Sequence, residues 1–145
     1  MKIKDVCTPT PRSISPDDSL VEAAAEMKAL DIGWLPVCEN DHLIGTVTDR
    51  DIAIRAVAEG YDPNITPVRQ VMSRVVIYCF GDQELWNAAQ MMETNKIRRL
   101  PVLNRDKRLV GIVSLGDLAV RTGAENIAGQ ILERISEPTP QIARI

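Results

Sequence analysis

Residues 95–117 read NKIRRLPVLNRDKRLVGIVSLGD, and residues 31–51 hold a plainer version of the same pattern, DIGWLPVCENDHLIGTVTDRD. Each stretch contains Leu-Pro-Val, a polar turn, a Gly-hydrophobic-Val segment, and then Thr or Ser followed three positions later by Asp. Two short apolar segments joined by a polar turn predict a β-hairpin. Since the pattern occurs twice, we expect the chain to contain two copies of one structural unit.

The repeat also includes the helix before each hairpin. Ser19 and Glu22 have the spacing of a capping box at the start of the first helix. Its predicted apolar face comprises Leu20, Ala23, Ala24, Met27 and Leu30, and the first four recur at one constant offset as Leu85, Ala88, Ala89 and Met92. This spacing is that of one side of an α-helix. Gly33 is the expected C-terminal stop of the first helix.

These elements predict an α+β fold built from two tandem β-α-β-β-α repeats. We assign residues 1–61 to the first repeat, 62–65 to a linker, 66–123 to the second repeat, and 124–145 to a C-terminal helix and tail. Short strands are predicted at residues 12–15 and 75–79. Thr66 is predicted to cap a helix whose first residue is Pro67.

The charge and hydropathy of the chain exclude several classes of protein. It has 17 basic and 20 acidic residues, a net charge of −3. Nucleic-acid binding needs a basic surface, so this balance argues against it. No segment reaches the roughly 18 apolar residues of a membrane span, and the first residues lack the apolar core of a signal peptide. We therefore expect a soluble, cytoplasmic protein.

The cysteines and the single histidine predict no catalytic residues and no metal site. Cys7, Cys38 and Cys79 are far apart in the sequence and lack the close spacing of zinc ligands. We interpret them as free thiols in a reducing compartment. His42 lies in a polar hairpin turn, with no constellation of cysteines or carboxylates that would give it a catalytic or metal-binding role.

The repeated helix, hairpin and Gly-hydrophobic-Val-Thr/Ser-x-x-Asp pattern resembles the cystathionine-β-synthase (CBS) domain family over residues 1–123. The layout is similar to that of small stand-alone bacterial proteins made of one CBS pair. The resemblance implies that the two repeats pack through their sheets as a pseudo-two-fold module and that two modules form a homodimer, with Trp86 at the interface. It also implies that clefts between the repeats bind AMP, ADP or ATP. NAD(H) and S-adenosylmethionine are further ligands of the family.

Thr48 with Asp51, and Ser114 with Asp117, are the first candidate binding residues. The resemblance implies that each aspartate accepts hydrogen bonds from the ribose hydroxyls of a nucleotide, assisted by the Thr or Ser hydroxyl. The same residues also fit a helix cap, with Thr or Ser at the N-cap and an acid three positions later. The two interpretations are compatible, and both stay open at this point.

Arg98 and Arg99 are the candidate phosphate-binding residues, because a guanidinium can bind phosphate through two hydrogen bonds. Their alternative role is a solvated basic edge. The matching positions in the first repeat are Gly33 and Trp34, which carry no charge. The family's clefts combine residues from both repeats, so the resemblance implies that the arginines serve the ligand held by Asp51. The two sites should therefore differ, and the Asp117 site is the weaker candidate.

Two more arginines and an apolar wall complete the candidate site. Arg12 and Arg50 are expected to add positive charge near the phosphate, although each also fits a solvated surface position. The resemblance implies an adenine wall that consists of Thr10, Pro11, Val75, Val76 and Ile77. A core strand would have the same composition as such a wall.

The function predicted from these residues is a non-enzymatic sensor of adenine nucleotides. Ligand occupancy would change the dimer geometry and so act on an effector protein that the sequence does not identify. No obligatory cofactor is predicted, and no membrane partner. The alternative is a ligand-free structural or interaction module, since every motif also has a capping or packing explanation. An enzyme ranks last, because the chain lacks a nucleophile–base pair, a metal cluster and a phosphate-binding loop.

Overall fold

A computed structural model of the protein describes residues 1–9, 12–74, 76–122, 129, 132, 133 and 136. These residues form two compact units. Unit A contains the described residues of 12–76 together with 107–109, and it carries Thr48 and Asp51. Unit B contains those of 1–11, 77–106 and 110–145, and it carries Ser114 and Asp117. The mixture of helices and strands confirms the predicted α+β class.

Unit A is built on an antiparallel hairpin and one long helix. Strands β2 (Trp34–Glu39) and β3 (His42–Thr48) pair from Trp34 opposite Thr48 to Glu39 opposite His42, with an irregularity after Val37. Helix α1 (Leu20–Leu30) precedes them. The core of the unit comprises Ile14, Leu20, Ala23, Met27, Leu35, Val37, Val47, Ala56, Val68, Val71 and Met72.

Helix α1 begins where the sequence predicts and ends differently. Ser19 Oγ accepts the Glu22 N–H (3.1 Å), and Glu22 Oε2 accepts the Ser19 N–H (3.1 Å), which completes the capping box. The left-handed cap is Asp31 (φ 54°), so Gly33 is not the C-terminal stop. Ala24 and Leu30, predicted on the apolar face, are exposed. The buried stripe is narrower than predicted because only Leu20, Ala23 and Met27 reach the core.

The rest of unit A contains short helical segments. Helix α2 (Asp49–Ile52) continues as a π-helical turn over Ala53–Val57, and Gly60 adopts a positive φ of 76° just after it. A 3₁₀ helix covers Val68–Gln70, with Pro67 at its N-cap position. The prediction for Thr66 is wrong: its hydroxyl donates to the Asp62 carbonyl (2.7 Å) and closes the preceding turn.

Unit B contains a four-stranded sheet and two helices. The sheet order is β1 (Thr8–Pro9), β6 (Leu109–Ser114), β5 (Arg99–Leu103) and β4 (Cys79–Phe80), with β4 parallel to β5. All of these residues except Leu109, the first of β6, belong to unit B. Helices α3 (Leu85–Asn95) and α4 (Leu115–Thr122) complete the unit. Its core includes Ile3, Val6, Cys79, Ala88, Ala89, Met92, Leu100, Val102, Val113 and Leu118.

The two short strands predicted at residues 12–15 and 75–79 are wrong in extent. Of residues 12–15, Ile14 alone makes a β-bridge, to Val37. Of residues 75–79, Val75 lies outside the described residues, and the strand starts at Cys79. An extended segment can form an isolated β-bridge or a full strand, and its amino-acid composition does not distinguish the two. Most of the predicted C-terminal helix also lies outside the described residues.

Each unit takes an extended segment from the other half of the sequence. In unit B, Thr8 and Pro9 pair with Ile112 and Gly111. In unit A, Thr46 and Ser73 exchange two backbone hydrogen bonds, of 3.0 and 2.8 Å. The segment before each helix therefore joins the hairpin of the other repeat. Among the described residues, no helix is long and apolar enough to cross a membrane.

Candidate functional site

Thr48 and Asp51 form a complete capping box where β3 ends and α2 begins. Thr48 Oγ1 accepts the Asp51 N–H (3.0 Å), and Asp51 Oδ2 accepts the Thr48 N–H (3.0 Å). The second carboxylate oxygen, Oδ1, lies 3.8 Å from Arg55 Nε. The Asp51 side chain is 17% exposed, so it is shielded but can still be reached.

Ser114 and Asp117 repeat this geometry where β6 meets α4. Asp117 Oδ2 accepts the Ser114 N–H (2.8 Å), and Ser114 Oγ accepts the Asp117 N–H (3.1 Å). Both residues are half-buried. The helix-cap interpretation of the two motifs is therefore confirmed.

The capping boxes do not use up the hydrogen-bonding capacity of these groups. A carboxylate has about four acceptor positions, and each cap occupies one of them. A hydroxyl that accepts one hydrogen bond still has a proton to donate. Each motif can therefore hold a helix end and accept hydroxyl groups from a ligand at the same time.

The residues beside the two motifs differ between the units. In unit A the Asp49 N–H donates to the Gly33 carbonyl (3.0 Å), and in unit B the Leu115 N–H donates to the Arg98 carbonyl (2.9 Å). A Cβ at position 33 would lie 2.5 Å from Asp49 Oδ2. The Asp49 carboxylate thus occupies the space beside Gly33 in unit A. In unit B the position that matches Gly33 is Arg98, and the position that matches Asp49 is the uncharged Leu115.

The sequence reasoning missed Asp49. Its signal was present in the repeat: the pair Gly33 and Asp49 in one copy corresponds to Arg98 and Leu115 in the other. Both positions change between the copies: glycine becomes arginine at one, and aspartate becomes leucine at the other. Paired changes of this kind indicate that the two positions are in contact.

Arg98 and Arg99 are exposed, and among the described residues no carboxylate lies within ion-pair distance of either guanidinium. Arg12 differs, since its Nη1 is paired with Glu26 Oε1 at 2.6 Å. Arg50 is exposed, and its backbone N–H donates to Asp49 Oδ1 (2.8 Å). Arg98 and Arg99 are therefore better placed than Arg12 to take an anionic ligand.

The expected adenine wall is only partly described. Thr10, Pro11 and Val75 lie outside the described residues. Val76 and Ile77 are half-buried, and Ile77 packs against the core of unit B.

All three cysteines are buried thiols. Burial, and to a smaller degree the Cys7 thiol, raise the pKa of Cys79 to about 12, so this thiol is protonated at neutral pH. His42 is exposed, and its Nδ1 lies 3.1 Å from the Asn40 carbonyl. In the part of the chain that the structure describes, no group of three or more His, Cys, Asp or Glu side chains is arranged to hold a metal ion.

Comparison with known proteins identifies the repeated unit. The family model of the CBS domain matches residues 3–57 and again residues 68–121. The CBS domain-containing protein YhcV of Bacillus subtilis is 42% identical over 92% of this chain and 94% of that protein. Hypoxic response protein 1 of Mycobacterium tuberculosis is 33% identical over 93% of this chain and 94% of its own length.

A solved structure agrees with the fold. The CBS domain pair of protein MJ0100, in complex with 5′-methylthioadenosine and S-adenosyl-L-methionine, is 28% identical with a TM-score of 0.73. The match covers 86% of this chain and 98% of that one. The chain therefore belongs to the CBS domain family, with two CBS domains in tandem.

Proposed function

We propose that this chain is a non-enzymatic regulatory protein that binds adenosine-containing ligands, with Asp51 and Asp117 accepting the ribose hydroxyls. The observation that carries the proposal is the geometry of the two carboxylates. Each is half-buried, fixed by its own capping box, and retains an oxygen that the cap does not use. A fixed carboxylate can accept two neighbouring hydroxyls without first being ordered, which lowers the entropic cost of binding.

Adenine nucleotides are the favoured ligands within this class. Arg98 and Arg99 are exposed and have no carboxylate partner within ion-pair distance among the described residues, so a phosphate would not compete with an existing ion pair. The related MJ0100 pair binds two adenosine compounds without phosphate. The adenosine part is thus the common element, and the arginines favour AMP, ADP, ATP or NAD for this chain.

A homodimer would give ligand binding a means of acting on an effector protein. Val21 of unit A and Trp86 of unit B occupy matching helix positions, and Ile54 and Val120 form a second matching pair. All four side chains are exposed. A second copy of the chain would present the same apolar positions and bury both sets, and such burial is the main driving force of association. A ligand changes the dimer geometry only if it binds one arrangement more tightly than another.

Calorimetric titration with AMP tests the ribose role. Asp51→Asn and Asp117→Asn each keep an acceptor for the cap but remove the charge. A charge-assisted hydrogen bond contributes about 1.5–3 kcal/mol, so each variant should lose about tenfold to a hundredfold in affinity at one site. Glu22→Gln is the matched control, since Glu22 forms the same kind of cap in α1. Unchanged affinity in both aspartate variants would refute the proposal.

A double-mutant cycle then assigns the arginines. Replacing Arg98 and Arg99 together by Gln should weaken ATP binding about tenfold and leave adenosine binding nearly unchanged. We expect the effect to be non-additive with Asp51→Asn and additive with Asp117→Asn. Non-additivity with Asp117→Asn alone would assign the arginines to the other ligand.

The second candidate function is a ligand-free structural module. It is favoured by the completeness of both capping boxes without any ligand. Thermal unfolding with and without AMP, ATP, NAD and S-adenosylmethionine distinguishes the two functions. A ligand at a hundred times its Kd stabilises the folded state by about 2.7 kcal/mol. No shift of Tm with any of the four at millimolar concentration would favour the structural module.

A further inference from the structure

A cavity of about 410 Å³ lies within unit B, away from the capping motif. Its lining residues are Lys4, Gly81, Asp82, Leu103, Asn104, Arg105 and Val110. Leu103 ends β5 and Val110 lies near the start of β6, whereas Ser114 ends β6 and Asp117 lies in the first turn of α4. At about 3.3 Å per strand residue, the four residues from Val110 to Ser114 separate the two places by roughly 13 Å.

The corresponding place in unit A shows what is different about this cavity. Each unit has a 3₁₀ helix, Ile3–Asp5 in unit B and Val68–Gln70 in unit A, and the two are fixed in the same way. The Lys4 N–H donates to the Gly81 carbonyl, and the Arg69 N–H donates to the Pro16 carbonyl, each at 2.9 Å. In unit A the Arg69 guanidinium then pairs with Asp17, with Nη2 to Oδ1 at 2.9 Å. The charge of Arg69, the basic residue of that 3₁₀ helix, is therefore neutralised by Asp17.

In unit B the residue that matches Asp17 is Asp82, and it pairs with Arg105 and not with the basic residue of the 3₁₀ helix. Arg105 binds it through Nε and Nη2, at 2.7 Å to each carboxylate oxygen. This hydrogen bonding holds the pKa of the Asp82 carboxyl below its ordinary value, so the carboxyl is ionised and the pair is formed at neutral pH. Arg105 also stacks over the Phe80 ring, 4.1 Å from its centroid, which fixes the guanidinium in this position.

Lys4 is therefore not paired with Asp82 in the way that Arg69 is paired with Asp17, because Arg105 binds Asp82. It lines the cavity and is exposed, and no carboxylate of the described residues lies within ion-pair distance of its ammonium. The lining residues carry two cations, Lys4 and Arg105, against one anion, Asp82. The apolar part of the lining comes from Leu103 and Val110. The cavity therefore combines a net positive charge with aliphatic surface.

We propose that this cavity is a further ligand site of the protein, for a small aliphatic carboxylate. The ligand's carboxylate pairs with the Lys4 ammonium, and its hydrocarbon part packs on Leu103 and Val110. The volume is within the range of about 300–1,000 Å³ that small-molecule sites occupy. The site is independent of the adenosine site, because it uses neither capping motif nor Arg98 and Arg99.

Titration of the full chain with hexanoate, followed by amide chemical shifts, tests the site. We expect saturable shifts at Lys4, Gly81 and Leu103, and no comparable shifts at Ser114 and Asp117. Hexanamide, which has the same shape without the charge, should bind about tenfold more weakly. Inorganic phosphate, which has the charge without the hydrocarbon part, should also bind at least about tenfold more weakly. Equal binding of either probe, or shifts centred on the capping motif, would overturn the proposal.

Two variants with opposite expected effects identify the groups responsible. Lys4→Met should weaken hexanoate binding about tenfold. Asp82→Asn should strengthen it several-fold, because it removes the one anion among the described lining residues and releases Arg105. Arg69→Met is the matched control in unit A and should leave the affinity unchanged. The proposal is wrong if Lys4→Met binds hexanoate as the wild type does, or if Asp82→Asn binds it more weakly.

Discussion

The capping motifs of the two units have the same hydrogen bonds and different surroundings. Thr48 with Asp51 and Ser114 with Asp117 make equivalent pairs of bonds, all between 2.8 and 3.1 Å. In unit A a carboxylate, Asp49, fills the space beside Gly33, and Arg55 lies near Asp51. The features common to both copies belong to the fold. Under the proposed function, the features that differ are the ones that would make the two sites select different ligands.

The largest effect is expected from two glycines that both copies share. A Cβ at Gly45 would lie 2.6 Å from the Ser73 carbonyl oxygen, and one at Gly111 would lie 2.8 Å from that of Thr8. In each case the extended segment crossing the hairpin would have to move. We expect Gly45→Ala and Gly111→Ala each to lower the free energy of unfolding by about 1–3 kcal/mol, measured by urea denaturation.

Gly116→Ala is the control for these substitutions, since its nearest neighbour, Ser114 Oγ, is at an ordinary 3.6 Å. It should leave stability unchanged or slightly higher. If Gly45→Ala were tolerated and Gly111→Ala were not, the close crossing of hairpin and segment would not be a common feature of the two units.

The next effect is the loss of the helix caps. Thr48→Ala and Ser114→Ala each remove the oxygen that accepts the aspartate N–H. Each should cost about 1 kcal/mol in urea unfolding without ligand, and Ser19→Ala in α1 provides the reference for an ordinary cap. If one of the two variants lost almost no free energy of unfolding, the two caps would contribute unequally to stability despite their similar hydrogen-bond lengths.

Much of this fold and part of the site could be predicted from the sequence. Leu20, Ala23 and Met27 are buried as their spacing predicts, and Ser19 with Glu22 forms the predicted box. Local patterns of this kind report contacts within one helix. The partner of Thr66 could not be predicted in the same way, because a hydroxyl before a proline fits a cap or a turn equally well.

Contacts between distant parts of the chain were harder to predict. The sequence shows that Asp82 and Asp17 are equivalent, but not that one pairs with Arg105 and the other with Arg69. It also does not show that Thr8 and Pro9 pair with the hairpin of the second repeat. Pairings of this kind depend on which long side chain reaches a given carboxylate, and no periodicity records that.

A smaller effect tests the difference between Gly33 and Arg98. Gly33→Ala would push the Asp49 carboxylate aside and break its hydrogen bond to the Arg50 N–H (2.8 Å). The loss of about 0.5–1.5 kcal/mol is partly offset by the lower entropy of the unfolded chain, so the net cost should be about 0.5 kcal/mol. In an Asp49→Ala background the same substitution should be neutral or stabilising. An equal cost in both backgrounds would mean that Asp49 does not determine the need for glycine.

The smallest effect is expected from the ion pair between Arg55 and Asp51. Among the described residues, the motif of unit B has no ion pair that corresponds to it. Arg55 Nε lies 3.8 Å from Asp51 Oδ1, and the Arg55 side chain is 53% exposed. Arg55 also donates to the Val71 carbonyl (3.1 Å), so a single substitution would mix two losses. A double-mutant cycle with Arg55→Gln and Asp51→Asn isolates the pair, and its coupling should be at most about 0.5 kcal/mol and fall with added salt. A coupling above about 1.5 kcal/mol would make Asp51 Oδ1 part of a structural ion pair. The weak coupling that we expect would leave this oxygen able to exchange Arg55 for a ligand hydroxyl, which the proposed function requires of Asp51 as well as of Asp117.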